Sequence, residues 1–240
     1  MQQILSDHGI VLLRQDFREH DRILSLYTRT HGRLNVRVPG VSQGKSKLKA
    51  FSEPFTCAEY RLYYRRNGAV GTVTGGKLAH VFPSIHTDLN KMSMALHFCE
   101  LVHRLTPLAQ PSPEKFDLLL QALTELEQGP LHPAFQAAFT LRLMTLAGFG
   151  LDHPVLQIPD EFWQRMHQDT FASLVFSTPE ELLALGKCNS VCRRFLNHYL
   201  TYPLHTMQPF GLTEPIFQQD MPVVQEDSLP DQELQPQPAH

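Results

Sequence analysis

No stretch of the 240-residue chain approaches the ~20 uninterrupted apolar residues that a membrane-spanning helix needs. The opening MQQILSDHGIVLLRQDF also lacks the basic-then-apolar order of a secretory signal. Together these absences imply a chain that stays in the cytoplasm. Cysteine is scarce: the four, Cys57, Cys99, Cys188 and Cys192, lie far apart except for the last pair, which suits reduced structural thiols better than a disulfide framework. Neither a repeat of twenty to fifty residues nor a heptad run is present, which excludes solenoids and coiled coils.

The signatures of catalysis are missing as well. Thirteen histidines include no i, i+4 pair flanking a glutamate, and no Gly-x-Ser-x-Gly elbow occurs. The segment Gly40-Val41-Ser42-Gln43-Gly44-Lys45-Ser46 resembles a phosphate-cradling loop but has three residues between its glycines, where the nucleotide loop needs four. It also leads into LKAFSEPF, which reads as extended chain and not as a helix N-terminus facing a phosphate. No motif of a known catalytic class therefore stands in the sequence. Cys188 and Cys192, one helical turn apart, fall short of the two close pairs of a structural zinc site and are read as buried residues at a helix start.

What is present is an uneven charge. Residues 1–80 hold 13 Lys and Arg against 6 Asp and Glu, whereas residues 81–240 hold 8 against 18, so the halves carry +7 and −10. Such asymmetry points the first half at a polyanion.

The first half reads as strands. Leu34, Val36 and Val38 alternate with Arg33, Asn35 and Arg37, and Ala58, Tyr60, Leu62 and Tyr64 alternate with Glu59, Arg61, Tyr63 and Arg65 before the turn signal Asn67-Gly68. About five strands fit before residue 80, as a small closed barrel requires. From about Pro83 the apolar period becomes helical through Met92, Ala95, Leu96, Cys99 and Val102. A second helix starts at Ser112-Pro113 and stops at Gly129-Pro130, and a third runs from Pro133 to about Ala147, with Gly148 closing it. A fourth opens at a capping box, Thr178 with Glu181, and a fifth carries Val191, Phe195, Leu196, Tyr199 and Leu200. The reading is α+β: a barrel over 1–80, an α-helical domain over 81–212, and a Pro-, Gln- and acid-rich tail over 213–240 that is expected to be disordered.

The barrel's cations suggest a nucleic-acid surface. Arg33 and Arg37 share the polar face of one strand, Lys45, Lys47 and Lys49 follow it, and Arg61, Arg65 and Arg66 interleave with tyrosines, as in small barrels that hold unstacked bases. Tyr60 and Tyr64 are read as barrel core and Tyr63 as exposed. The candidate DNA-binding set is Arg14, Arg33, Arg37, Lys45, Lys47, Lys49, Arg61, Tyr63, Arg65 and Arg66.

The run from Gly9 to Phe55 resembles the N-terminal barrel of the RecO family of bacterial recombination mediators. The resemblance lies in Glu19 and Asp21 before the second strand, the Tyr27 to Leu34 turn with His31-Gly32-Arg33-Leu34, Pro39-Gly40, and the Ser46 to Leu48 loop. Phe139 to Gly150 and Arg193 to Leu204 resemble two helices of the same family, so the likeness covers about residues 1–212. It implies an OB-fold barrel and a mediator that works at the nucleoid without turnover. Such a mediator binds single- and double-stranded DNA, anneals strands coated by single-strand-binding protein, and helps load RecA together with RecR. It also implies a groove for the C-terminal tail of single-strand-binding protein, placed here at Phe139, Arg142 and Leu143. Many members hold zinc through two Cys-x-x-Cys pairs; Leu151 to Val155 occupies the first pair's place without a cysteine, so no cofactor is expected, and Phe162, Trp163, Phe171 and Leu174 would hold the degenerate zinc-finger region of about 151–188 by packing. The barrel alone leaves open an OB-fold RNA-binding module of translation or RNA metabolism, and the acidic half leaves open a scaffold that binds only proteins.

Overall fold

The structure is a computed structural model that describes residues 3–41, 43, 46–65, 70–149, 158–200, 204 and 206. Five strands close into a barrel in the order β1-β2-β3-β5-β4, with β1 Gln3–Phe17, β2 Asp21–Thr28, β3 Gly32–Val38, β4 Cys57–Tyr64 and β5 Gly71–His80. This is the Greek-key order of an OB fold. All neighbours are antiparallel except β3 and β5, which run parallel and, among the described residues, meet only at Val36–Gly71 and Arg37–Thr72.

Alternation built the barrel as the pattern requires. Val11, Leu24, Leu26, Val36, Val38, Ala58, Tyr60, Leu62 and Val73 fill its interior, and Phe51, on a 3-10 turn over Lys49–Ser52, accepts the Tyr60 hydroxyl on its carbonyl at 2.9 Å. β1 is 15 residues long and serves both neighbours, β4 with its first half and β2 with its second. Its register with β2 shifts between Val11 and Leu13, and the extra residue lets both Leu12 and Leu13 turn away from the barrel interior.

Those two leucines belong to a second core. Ile10, Leu12, Leu13, Tyr27, Phe55 and Cys57 on the barrel's outside pack with the helices, so the apolar layer between the halves is continuous. The helices are α1 Pro83–Thr87, α2 Leu89–Leu105, α3 Pro113–Gln128, α4 Pro133–Leu146, α5 Asp160–Gln168 and α6 Pro179–Tyr199. Phe98 lies at their centre, stacked on Phe139 at 4.1 Å and edge-on to Phe135 at 5.5 Å.

Their ends follow the local chemistry. Ser112 Oγ accepts from Lys115 N at the start of α3, and Thr178 with Glu181 forms the full capping box of α6. Gly148 takes φ +87° just beyond α4, a left-handed conformation that closes a helix without a Cβ penalty. Two boundaries differ from the sequence reading. The first helix is split in two, because Asp88 caps α2 by accepting from Asn90 N and Lys91 N. The expected fourth and fifth helices are one: Ala184, Leu185, Cys188, Cys192 and Leu196 continue a single buried stripe across Gly186, and that burial outweighs the roughly 1 kcal/mol cost of a glycine. Cys188 and Cys192 therefore sit in mid-helix and not at a helix start. The hairpin signal Asn67-Gly68 and the acidic tail over 213–240 lie outside the described residues.

Candidate nucleic-acid interface

An isolated OB barrel offers nucleic acid the outer face of its second and third strands together with the loops at one end. Here α2 and its flanks cover much of that face. Ser25 on β2 pairs with His103 Nδ1 at 2.9 Å, Arg33 on β3 donates to the Thr106 carbonyl at 2.9 Å, and the Tyr27 hydroxyl donates to the Ser112 carbonyl at 3.2 Å. Gly32 fits the same seam: φ is +72°, and a Cβ there would meet the Gln110 carbonyl oxygen at 2.3 Å. Burial, then the charges of Arg33 and Arg104, hold the His103 imidazole down at about 3, so the contact is made by a neutral ring.

The barrel's end remains open. Pairing of Phe17 with Asp21, Arg22 with Val38, and Arg37 with Thr72 brings the β1–β2 turn, the exit of β3 and the β4–β5 connection to one end of the cylinder. A concave site of about 410 Å3 lies there, lined by Arg18, Glu19, His20, Pro39, Gly40 and Gln43 above a floor of Asp21 and Arg37. Arg18 and His20, absent from the sequence-derived candidates, are exposed and alternate with acids in Arg-Glu-His-Asp.

The candidate cations divide into two groups. Lys47, Lys49, Arg61 and Arg65 are exposed and, among the described residues, form no ion pair. Tyr63 beside them is half-buried, between Ile4 of β1 and Thr72 of β5. Lys77 adds a further exposed cation on β5.

The second group is already engaged, which corrects the expectation of a shared outward face. Arg37 is 7% exposed and holds Asp21 through Nε at 2.8 Å and a second nitrogen at 2.7 Å, while the other Asp21 oxygen accepts from Gly40 N at 2.8 Å. Arg33 faces α2, as above. Arg14 pairs with Glu53, which also takes Arg22 at 3.0 Å. Lys45 and Arg66 lie outside the described residues.

In the helical half the three candidate peptide contacts do not form an exposed groove. Phe139 and Leu143 have no exposed surface. Arg142 is 8% exposed, donates to the carbonyls of Met166 at 2.7 Å and Asp169 at 2.6 Å, and stacks over Phe171 at 4.5 Å. It ties α5 and the following 3-10 turn, Phe171–Ser173, to α4. Burial lowers its proton affinity, with Glu125 and Asp169 opposing. Phe162, Phe171 and Leu174 are buried and Trp163 is half-buried. The Cys188 and Cys192 thiols are pushed up by burial, to about 11 and about 12.

Comparison with known proteins bears on both halves in order. Residues 1–82 match the family described as Recombination protein O N terminal, and residues 86–153 match Recombination protein O C terminal. The chain belongs to the RecO family. Curated relatives called DNA repair protein RecO include one from Listeria monocytogenes serotype 4a, 30% identical over 140 residues, or 58% of this chain and 54% of the relative. One from Pelotomaculum thermopropionicum is 35% identical over 149 residues, or 62% and 56%. The matched region thus spans about half the length of these RecO relatives. The N-terminal match coincides with the barrel, and the C-terminal match ends soon after α4, before α5 and α6.

Proposed function

We propose that this protein acts in DNA repair and recombination as a non-enzymatic mediator. It binds single- and double-stranded DNA at the open end of the barrel, anneals strands coated by single-strand-binding protein, and helps load RecA with RecR. The observation that carries this reading is the pair of RecO family matches, in order, over a barrel whose cations Lys47, Lys49, Arg61 and Arg65 lie on exposed surface with no ion pair among the described residues. Positioned cations of this kind neutralise phosphates without reading sequence. No bond is made or broken: the barrel holds a strand, and the helical half receives the acidic tail of the coating protein. Since Phe139, Arg142 and Leu143 are packed inside, that tail has to dock on helical surface around them. The mediator works without zinc, because Leu151 to Val155 stands in the place of the first metal-binding pair without a cysteine.

Salt titration of oligonucleotide binding tests the reading. Four phosphate contacts on a single strand give about a fifty-fold loss of affinity between 50 and 200 mM salt. Replacing Lys47, Lys49 and Arg65 by Ala is expected to lower the log–log salt slope by about 2. A flat salt response in the parent chain would remove the barrel from the DNA site, and equal annealing of protein-coated RNA would favour an RNA-binding role.

A further inference from the structure

The helical half is acidic as a whole, yet its last helix is not. Between Glu181 and Glu214 the chain has no carboxylate side chain, while Lys187, Arg193 and Arg194 are all basic. The same stretch carries an aromatic cluster. Phe195 and Tyr199, one turn apart on α6, lie with their rings 4.1 Å apart and 26° from parallel, and Phe149, just beyond α4, closes the group at 4.9 Å from Phe195 and 5.2 Å from Tyr199.

Phe149 and Phe195 are half-buried against the helical core, and the outer ring of the cluster lies in water. Tyr199 is 54% exposed, and His198 stands edge-on to its ring at 5.0 Å. Arg194 and His198, four residues apart and therefore on one side of the helix, form an exposed stripe beside the rings. Arg193 is exposed too, and among the described residues neither arginine forms an ion pair. A flat aromatic face left in water next to unneutralised cations fits a ligand that is itself flat, apolar on its faces and anionic along its backbone. Unpaired nucleotides meet that description, since every base has a face to stack and a phosphate beside it. Folded protein surface lacks the regular alternation of flat ring and negative charge.

We propose that Phe149, Phe195 and Tyr199, with Arg193, Arg194 and His198, form a second single-strand contact. In it an unstacked base lies on Tyr199 and the neighbouring phosphates meet the arginines. The proposal rests on the reading of the protein as a strand-annealing mediator and supplies what that activity needs, a place for the second strand apart from the barrel. Bases held splayed on a ring stay available for pairing, whereas the phosphates at the barrel fix only the path of the first strand.

The test uses the full chain. In a background carrying Lys47→Ala, Lys49→Ala and Arg65→Ala, Tyr199→Ala is expected to weaken binding of a labelled thymidine oligonucleotide by about five- to a hundred-fold, the loss of one stacked base, while Tyr199→Phe keeps it. In the otherwise unaltered chain, Tyr199→Ala slows annealing, Arg193→Ala with Arg194→Ala does the same in a salt-dependent way, and halogenated-uracil DNA photocrosslinks to Tyr199. Unchanged binding and annealing with Tyr199→Ala, or crosslinks confined to the barrel, would overturn the second contact and leave the barrel reading standing. An unaltered chain that binds no DNA would overturn both. The crosslink needs no substitution, so a variant that fails to fold does not shield the proposal.

Discussion

Acid should loosen this protein at a pH where its carboxylates are still ionised. His97 and His103 on α2 are 4% and 3% exposed, and burial, with a smaller opposing effect of Glu100 on His97 and added repulsion from Arg33 and Arg104 on His103, lowers them to about 4 and about 3 from 6.5. The folded chain thus keeps both rings neutral while the unfolded chain protonates them below 6.5. Stability is fully present above that pH and falls as pH drops, because the unfolded state binds more protons. Each pH unit below 6.5 costs about 1.4 kcal/mol per ring, so at about pH 5 the two together remove about 4 kcal/mol from a total of roughly 5–15. Asp7, Glu127 and Glu181 have lowered values, so their own stabilisation is lost only as pH falls below the ordinary carboxylate values of 3.8 to 4.5, outside this window. Half-buried His167 is lowered as well and adds to the effect with the same sign. Urea unfolding followed by circular dichroism at about pH 8, 6 and 5 measures the loss. His103→Gln is expected to shrink the pH 8-to-5 difference by about 2 kcal/mol. Equal pH dependence in the parent and His103→Gln proteins would refute the assignment of a neutral, buried ring to this seam.

Two further outcomes follow from side chains that the structure shows engaged. Arg37→Ala leaves Asp21 buried without its cation and should destabilise the barrel by about 3–5 kcal/mol, whereas the paired replacement Arg37→Met with Asp21→Leu restores most of that; urea midpoints check both. Arg142→Lys keeps the charge but loses the two-pronged donation to Met166 and Asp169, a cost of about 2–3 kcal/mol, and the fluorescence of Trp163 on α5 should report the loosening; an unshifted spectrum and midpoint would remove Arg142 from its structural role.

Strand alternation and helix caps are local signals, and they were legible. Leu34, Val36 and Val38 fall on one side because the strand period is two, and Ser112, Gly148 and Thr178 act within three residues of their partners. The division of the cations was not legible. Whether Arg37 faces water depends on Asp21, sixteen positions away and brought near only by the β2–β3 pairing, and the fate of Arg33 depends on Thr106, 73 positions on. Charge counts see none of this. The same blindness hid Phe149 beside Phe195 and Tyr199, which meet only because α4 ends against α6. Helix continuity through Gly186 was missed for a related reason, since intrinsic propensity argues against a glycine there and only the buried stripe on either side overrides it.

The parallel join of β3 and β5 has a mechanical meaning. A cylinder whose fifth strand is held on one flank by a long antiparallel ladder and on the other, among the described residues, by two rungs has a built-in line of weakness, and transient opening should begin there before the rest of the wall yields. Amide hydrogens near Val73 to His80 would then exchange with solvent on a faster clock than those of β1 and β2. The wall's thinnest seam also adjoins Arg65 and the β4–β5 connection, so a strand lying across that rim would clamp the barrel shut, and slower exchange along β5 would report its arrival.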